Sequence, residues 1–534
     1  MAPWEEKAKV ARDYRDESLS KIDPPLKGLP DPLPLNSQDL PKQYLTDREY
    51  ELTQNYDPIA LLDLLRTKKV TSEELTKAFL RRAALAQYAV NCITELMWDE
   101  AIERAKYLDS LSEPIGPLHG LPISIKEYHS FKGKSTHGSY IAWIGGLSRH
   151  NVVNETLFSA GCVYYARTTG PQALMHLETI NNIYGRTVNP YNRNLTPGGS
   201  SGGEAALVGF RGSVLGLGGD IGGSVRAPAG DTGLYGFKPT TGRIPAKGTK
   251  NPMVGRDSVG STQGPLTVSR ETINLFMKVI LDSEPWRVDP SITVKPWTPE
   301  KFSRPLKIAI EWHDGVVKPH PPTTRALKEV AAACAAAGHK VVDWVPLDHA
   351  KGWDIVSRLY FPDGGEAVLN LIHESGEPVL PLTEWIINQP GVKNLTMHEY
   401  WALCAERDQY RDDYAKHWAA TADSSDGEVD VILCPVTPGA APLHETSKYW
   451  PYTSQWNLLD YPGVVFPVTS VDVQKDGKEV GYTPMNEQDR WNYELYEPEK
   501  YIGAPISLQI VGRRFMDEKV MAALEIIEKA MGRS

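Results

Sequence analysis

Three serines in a glycine-dense stretch are the residues of this sequence best suited to covalent chemistry. They are Ser200, Ser201 and Ser224, within Pro197–Arg226, which reads PGGSSGGEAALVGFRGSVLGLGGDIGGSVR. Glycine loses more conformational freedom on folding than any other residue, so such a density needs a compensating use. Bringing backbone N–H groups close to a small ligand, beside hydroxyls able to attack it, is one. The strand-like run Val214–Leu217 leads into Gly218-Gly219-Asp220-Ile221-Gly222-Gly223-Ser224, read as a turn. Successive amides in a turn can converge on one point and hold a developing negative charge. A hydroxyl beside such a cradle is the equipment of acyl transfer.

Other readings of the same residues stay open. Phosphate-binding loops share the composition, but the stretch contains no GxxxxGK[ST], and no well-placed GxGxxG opens a helix after its strand. Ser200 and Ser201 each satisfy GxSxG, the nucleophile-elbow pattern of α/β-hydrolases, which also needs a histidine and an acid that nothing in the sequence nominates. A structural glycine loop with incidental serines is the third possibility. A serine hydroxyl is a weak nucleophile until a neighbouring base takes its proton. No histidine lies within the stretch, and a lysine serves only where it is neutral.

The elements that must position these residues alternate between helix and strand. Asp57-Pro58 reads as the N-cap and first turn of a helix through IALLDLL, and Thr71 with Glu74 as a capping box for a helix to about Gln87. Strands are expected at Cys92–Leu96, Pro122–Lys126 and Cys162–Ala166, and helices at Asp99–Leu111 and Asn154–Ala160. Downstream, strands are expected at Lys307–Glu311, Lys340–Trp344, Asp430–Cys434 and Ile506–Val511. Helices are expected at Thr323–Ala337, Trp353–Ile372, Met397–Ala420 and Asp517–Met531. This alternation predicts an α/β fold with helices on a central sheet. At 534 residues, length alone suggests several domains, yet no linker divides the chain after residue 57. The expectation is an N-terminal extension, 1–56, followed by one large domain, 57–534. Within the extension, Trp4–Ser18 reads as a short charged helix and the prolines from Pro24 to Pro41 as an extended arm over the main body.

Bulk properties exclude several function classes. A net charge of −10 argues against a nucleic-acid surface, which needs a basic stripe, and against an anionic membrane. No apolar run approaches the ~20 residues of a spanning helix, and the charged N-terminus lacks the apolar core of a signal peptide. A cytoplasmic location is expected. Five scattered cysteines with no CxxC pair predict buried free thiols rather than a zinc site or a disulfide framework.

Taken together, the motifs resemble the amidase signature family. PGGSSGG and DIGGSVR are both present, preceded by the GxPxxxK segment Gly120-Leu121-Pro122-Ile123-Ser124-Ile125-Lys126. The gaps between Lys126, Ser200 and Ser224, 74 and 24 residues, are those of the family. Matching features run from about Asp57 to the C-terminus, and GPLHGLPISIK, PQALMHLETINNIYGRTVNPYN and GSVRAPAGDTGLYGFKPTTGRIP are most similar to the fungal acetamidase-type branch. The resemblance implies one α/β domain built on a large mixed sheet covered by helices on both faces. It implies a serine amidohydrolase that needs no metal or cofactor, with Ser224 as nucleophile, Ser200 as proton relay and Lys126 as base. Lys126 ends the apolar run Leu121–Ile125, where desolvation lowers the pKa of an amine. Ser201 competes with Ser200, and the spacing to Ser224 favours Ser200.

The resemblance further implies a cis peptide near Ser200, for which the glycines at 198, 199, 202 and 203 leave room. Amides of Ile221, Gly222, Gly223 and Ser224 would form the oxyanion hole, and the backbone of Leu174 would face the substrate amide. His119, Tyr140, Met175 and His176 are candidate pocket residues. Asp220 and Arg226 read as a structural ion pair, and Glu204 as a favourable charge at a helix N-terminus. Two departures from the commoner family wording stand out: Glu127 follows the lysine, and Arg167-Thr168 replaces Lys-Thr. The expected substrates are small amides, the expected assembly a homodimer. Carbamate esters, larger aryl or acyl amides, and a non-catalytic amidotransferase-type subunit are the alternatives.

Overall fold

The computed structural model describes residues 2–148, 151–423 and 427–533. Its strands are β1 (Ile93–Leu96), β2 (Pro122–Lys126), β3 (Val163–Thr168), β4 (Ile180–Asn181), β5 (Gly185–Arg186), β6 (Leu215–Asp220) and β7 (Tyr235–Lys238). They continue with β8 (Thr262–Thr267), β9 (Lys307–Ile310), β10 (Lys340–Asp343), β11 (Val431–Pro435), β12 (Gly463–Ser470) and β13 (Pro505–Val511). Eleven of them form one sheet in the order β1-β3-β2-β6-β8-β7-β12-β13-β11-β9-β10, while β4 and β5 pair separately. The sheet is mixed. β2 lies parallel to both β3 and β6, and β9 lies parallel to both β10 and β11. Its central pairs, β6–β8, β8–β7, β7–β12, β12–β13 and β13–β11, are antiparallel. Helices cover both faces, as the α/β reading requires.

β2 is where pattern becomes position. Side chains alternate across a strand, so Ile123 and Ile125 enter the main hydrophobic core while Ser124 and Lys126 point to the opposite face. That face is covered by the helix Gly202–Gly209, all eight of whose residues are buried. The serine stretch is thereby folded over the carboxyl end of β2.

Most expected elements occur within a few residues of their expected ends, and the differences have causes. The region read as one helix over Trp353–Ile372 is two, His349–Tyr360 and Glu366–Ser375. Pro362 cannot continue a helix, and Gly364 and Gly365 adopt φ of 68° and 82° between them. The glycine run after Leu217 is strand as far as Asp220, not turn. Its glycines answer close packing: a Cβ on Gly218 would lie 2.6 Å from Ser201 Oγ. Strands β7, β8 and β12 escaped sequence reading because β8 (TQGPLT) and β12 (GVVFPVTS) carry the glycine and proline that argue against central strands.

The N-terminal region begins with a helix, Pro3–Ser20, that buries Ala8 and Ala11 against the body. Tyr14 donates to Glu95 at 2.6 Å, and Arg12 to the carbonyl of Ile183. Residues 24–37 run without regular structure, but two unexpected short helices follow, Leu40–Tyr44 and Asp47–Gln54. The second is capped by Thr46 and Glu49 in a reciprocal box that the sequence TDRE displays.

Candidate active site

Lys126 Nζ donates to Ser200 Oγ at 2.7 Å and lies 3.4 Å from Ser201 Oγ. The peptide Gly199–Ser200 is cis. The chain is tightly enclosed here: a Cβ on Gly199 would come within 2.6 Å of the backbone of His176 and Glu178. Lys126 is 2% exposed. Burial pushes its amine down to about 7, against the pull of the Glu204 and Asp220 carboxylates in the other direction. Its Nζ also sits 4.9 Å above the Tyr128 ring.

Ser224 lies beyond the end of β6 and is 5% exposed. Lys126, Ser200, Ser224, Ile221 and Leu174 border one cavity of about 130 Å³, with Met175, Tyr128 and the loop 246–256 completing its wall. No hydrogen bond of 3.5 Å or less joins Ser224 Oγ to Ser200 Oγ. Instead, the amide of Ser201 donates to the Ser224 carbonyl at 3.2 Å, tying the two serine loops together.

The turn before Ser224 is held from outside the cavity. Tyr360 donates to the Ile221 carbonyl at 3.0 Å, and Thr453 to the Gly222 carbonyl at 2.7 Å. A trans peptide is planar, with its C=O and N–H on opposite sides. Fixing the Ile221 carbonyl therefore fixes the direction of the Gly222 N–H. The Gly223 N–H donates to Asp220 Oδ1 at 2.9 Å, so of the four amides expected to face an oxyanion it is already engaged. Gly223 has φ of 126°, and a Cβ there would meet Thr453 Oγ1 at 2.3 Å. Asp220 and Arg226 form a fully buried ion pair at 3.0 Å, extended by Asn457. Burial alone would raise the Asp220 carboxyl; Arg226 outweighs it and holds the group far below the ordinary carboxylate range.

The two departures from the family wording meet each other. Arg167 reaches the Glu127 carboxylate at 3.4 Å, and that carboxylate accepts from the amides of His137 and Gly138. Together they pin the loop that follows β2.

Some candidate residues lie elsewhere. His119 accepts from the Ile115 amide in the turn before β2, away from the cavity. Tyr140 is buried with its hydroxyl 3.4 Å from the Ala173 carbonyl, and His176 is paired with Thr383 at 2.6 Å. His119 and Tyr140 are held by these contacts, His176 keeps a buried Nδ1 without a hydrogen-bond partner, and only Met175 of the four borders the cavity. Glu204 stands in the first turn of the helix Gly202–Gly209, as expected. It is wholly buried, its carboxylate accepting from Ser124 Oγ at 2.6 Å and Thr168 Oγ1 at 2.8 Å. Tyr360, Thr453 and Asn457, far away in sequence, carried no signal of a role. Among the described residues no cluster of three or more His, Cys, Asp or Glu is arranged to hold a metal ion, and no helix is long and apolar enough to cross a membrane.

Comparison with known proteins agrees with the fold and the motifs. The Amidase family model matches residues 74–521. A Schizosaccharomyces pombe protein named as an amidase is 46% identical, covering 98% of each chain. The acetamidase of Emericella nidulans is 39% identical over 99% of this chain and 98% of its own. Among solved structures, a fatty acid amide hydrolase superposes with a TM-score of 0.92 at 34% identity, over 98% of this chain and 95% of that one. Matched by the family model over most of its length, and by full-length relatives well above 30% identity, the chain belongs to the amidase family of amide-hydrolysing enzymes.

Proposed function

We propose that the protein is a serine amidohydrolase that cleaves the C–N bond of small, acetamide-like carboxamides, giving a carboxylate and ammonia or an amine. The observation that carries the reading is the 2.7 Å contact between a buried Lys126 amine, pushed down to about 7, and Ser200 Oγ. A neutral amine in that position accepts the Ser200 proton as Ser200 takes one from Ser224. Ser224 Oγ bonds to the carbonyl carbon, and the tetrahedral oxyanion is held by the amides of Ile221, Gly222 and Ser224. The fourth amide, Gly223, serves indirectly by fixing the turn through Asp220. Collapse breaks the C–N bond, and the departing nitrogen takes its proton from Lys126 through Ser200. Water then attacks the acyl-enzyme by the same route, releasing the carboxylate and restoring Ser224.

A cavity of about 130 Å³ is well below the ~300–1,000 Å³ that accommodates drug-sized ligands, which supports a short substrate. A second reading, larger acyl or aryl amides, has its own support. Pro252, Met253 and Arg256 wall both the cavity and an adjoining open groove of about 580 Å³ lined also by Val254, Met397 and Tyr400. Ammonia or amine release from acetamide, hexanamide and benzamide, with ethyl carbamate for the carbamate alternative, separates these. A fluorophosphonate adduct located on Ser224, together with loss of amide hydrolysis in Ser224→Ala, is the expected outcome. An adduct elsewhere, or an active Ser224→Ala, refutes the assignment.

A further inference from the structure

Glu204 has no part in the reaction written above, yet its carboxylate is buried on the face of the sheet that carries Lys126. Ser124 and Lys126 are two residues apart on β2, one side-chain repeat or roughly 7 Å along the strand, and Ser124 is one of the two hydroxyls that Glu204 touches, with Thr168. The space is made for the carboxylate: a Cβ on Gly216 would lie 2.1 Å from Glu204 Oε2. No lysine, arginine or histidine lies within ion-pairing distance of it among the described residues, whereas Asp220, the other carboxylate near Lys126, is neutralised by Arg226.

The hydroxyls around Glu204 can serve it in either charge state. Ser124 Oγ is 2.6 Å from Glu204 and 2.9 Å from Ser213 Oγ, but has one hydrogen to give. With the carboxylate ionised, Ser124 and Thr168 both donate to it. With the carboxyl protonated, its O–H donates to Ser124, Ser124 to Ser213, and Ser213 to the Leu215 carbonyl at 3.1 Å. Neither arrangement leaves a hydroxyl hydrogen without an acceptor, so the proton on Glu204 is not decided by its hydrogen bonds.

We propose that Glu204 is a positioning residue that sets the charge of Lys126, the two groups sharing a proton so that Glu204 fixes the pH at which the amine becomes a base. This rests on the reading of Lys126 as the base. The exchange converts an ammonium and a carboxylate into an amine and a carboxylic acid, with net charge unchanged. Burial, the largest influence on each group, moves Lys126 down to about 7 and Glu204 up to about 8, so the pair titrates in two steps around neutrality. Facing Lys126 are Glu204 from the helix Gly202–Gly209, Asp220 from β6, the Tyr128 ring and the buried His129. Facing Glu204 are Lys126, the Cys92 thiol beside β1 and the Tyr165 hydroxyl on β3, the last two held uncharged by burial.

The test is the pH dependence of kcat/KM and of the rate of fluorophosphonate labelling at Ser224, in the wild type and in Glu204→Gln. Glutamine stands for the neutral acid and cannot become the anion that holds back the ammonium in the second step. The two ionisations of the wild type should therefore become one, at the lower-pH step, so that the midpoint of the acid limb falls by up to about one unit. A limb that coincides with the wild type overturns the proposal, since a purely structural glutamate would lower amplitude without moving it. Should Glu204→Gln not fold, Ser124→Ala removes one donor to the carboxylate and should shift the limb in the same direction by a smaller amount; an unmoved limb again overturns it. A wild type that is not labelled at Ser224, or that shows no acid limb, defeats the lysine reading itself and this proposal with it.

Discussion

Lys126→Met removes the amine while keeping an unbranched apolar chain of similar length, and its effect on stability can be worked from the environment. The free amine titrates at ~10.4, the buried one at about 7. Between these values the unfolded chain holds a proton that the folded chain does not. Stability therefore rises with pH across this window, and at pH 7 the wild type bears a penalty of ~4 kcal/mol. Methionine removes that penalty and forfeits the hydrogen bond to Ser200, worth ~1 kcal/mol, for a net gain of ~3 kcal/mol. With ~2.1 cal/mol/K of unfolding entropy per residue over 534 residues, Tm at pH 7 should rise by ~3 °C. At pH 10.5 the unfolded lysine is itself half neutral, the penalty is nearly gone, and the variant should be ~1 kcal/mol less stable than wild type. Scanning calorimetry of both proteins from pH 6.5 to 10.5, beside an amide hydrolysis assay, reads the prediction. An inactive variant whose Tm advantage shrinks and reverses with rising pH is expected. A Tm difference independent of pH, or a variant less stable at pH 7, would refute the argument that a buried amine is kept neutral at the expense of stability.

Two further substitutions probe the turn. Tyr360→Phe removes the donor that fixes the Ile221 carbonyl, and misaiming the Gly222 N–H should lower kcat by up to the ~100-fold attributed to one oxyanion donor, with KM little changed; steady-state kinetics in which only KM moves would contradict this. Asp220→Asn leaves Arg226 buried without its partner, which should cost ~3–5 kcal/mol in urea unfolding. Because Arg226 depresses the Asp220 pKa, the stabilisation is present above the ordinary aspartate range and is lost only as pH falls towards the depressed value. The gap between wild type and variant should hold from pH 8 to pH 5; a gap that closes at mild acidity would show that the pair contributes little.

Much of the fold and of the site was legible because its causes are local. The alternation of Ile123 and Ile125 with Ser124 and Lys126 is a property of five consecutive residues, and it sends the lysine to the face opposite the core whatever lies there. Caps at Asp57 and Thr71 are likewise written in three- or four-residue patterns. Lys126, Ser200 and Ser224 were singled out by the motifs that hold them, and all three border one cavity.

What the sequence could not determine depends on parts of the chain that meet only after folding. An eleven-stranded sheet inserts β8 between β6 and β7, so strand order is not chain order. The glycines at 216 and 218 are required by a Glu204 carboxylate and a Ser201 hydroxyl packed against their α-carbons, a reason invisible in composition. Tyr360 and Thr453 come from more than a hundred residues away to grip the turn. Sequence determined which groups could react; the state of charge of Lys126 was decided by the tertiary structure, because desolvation is a property of everything that surrounds an atom.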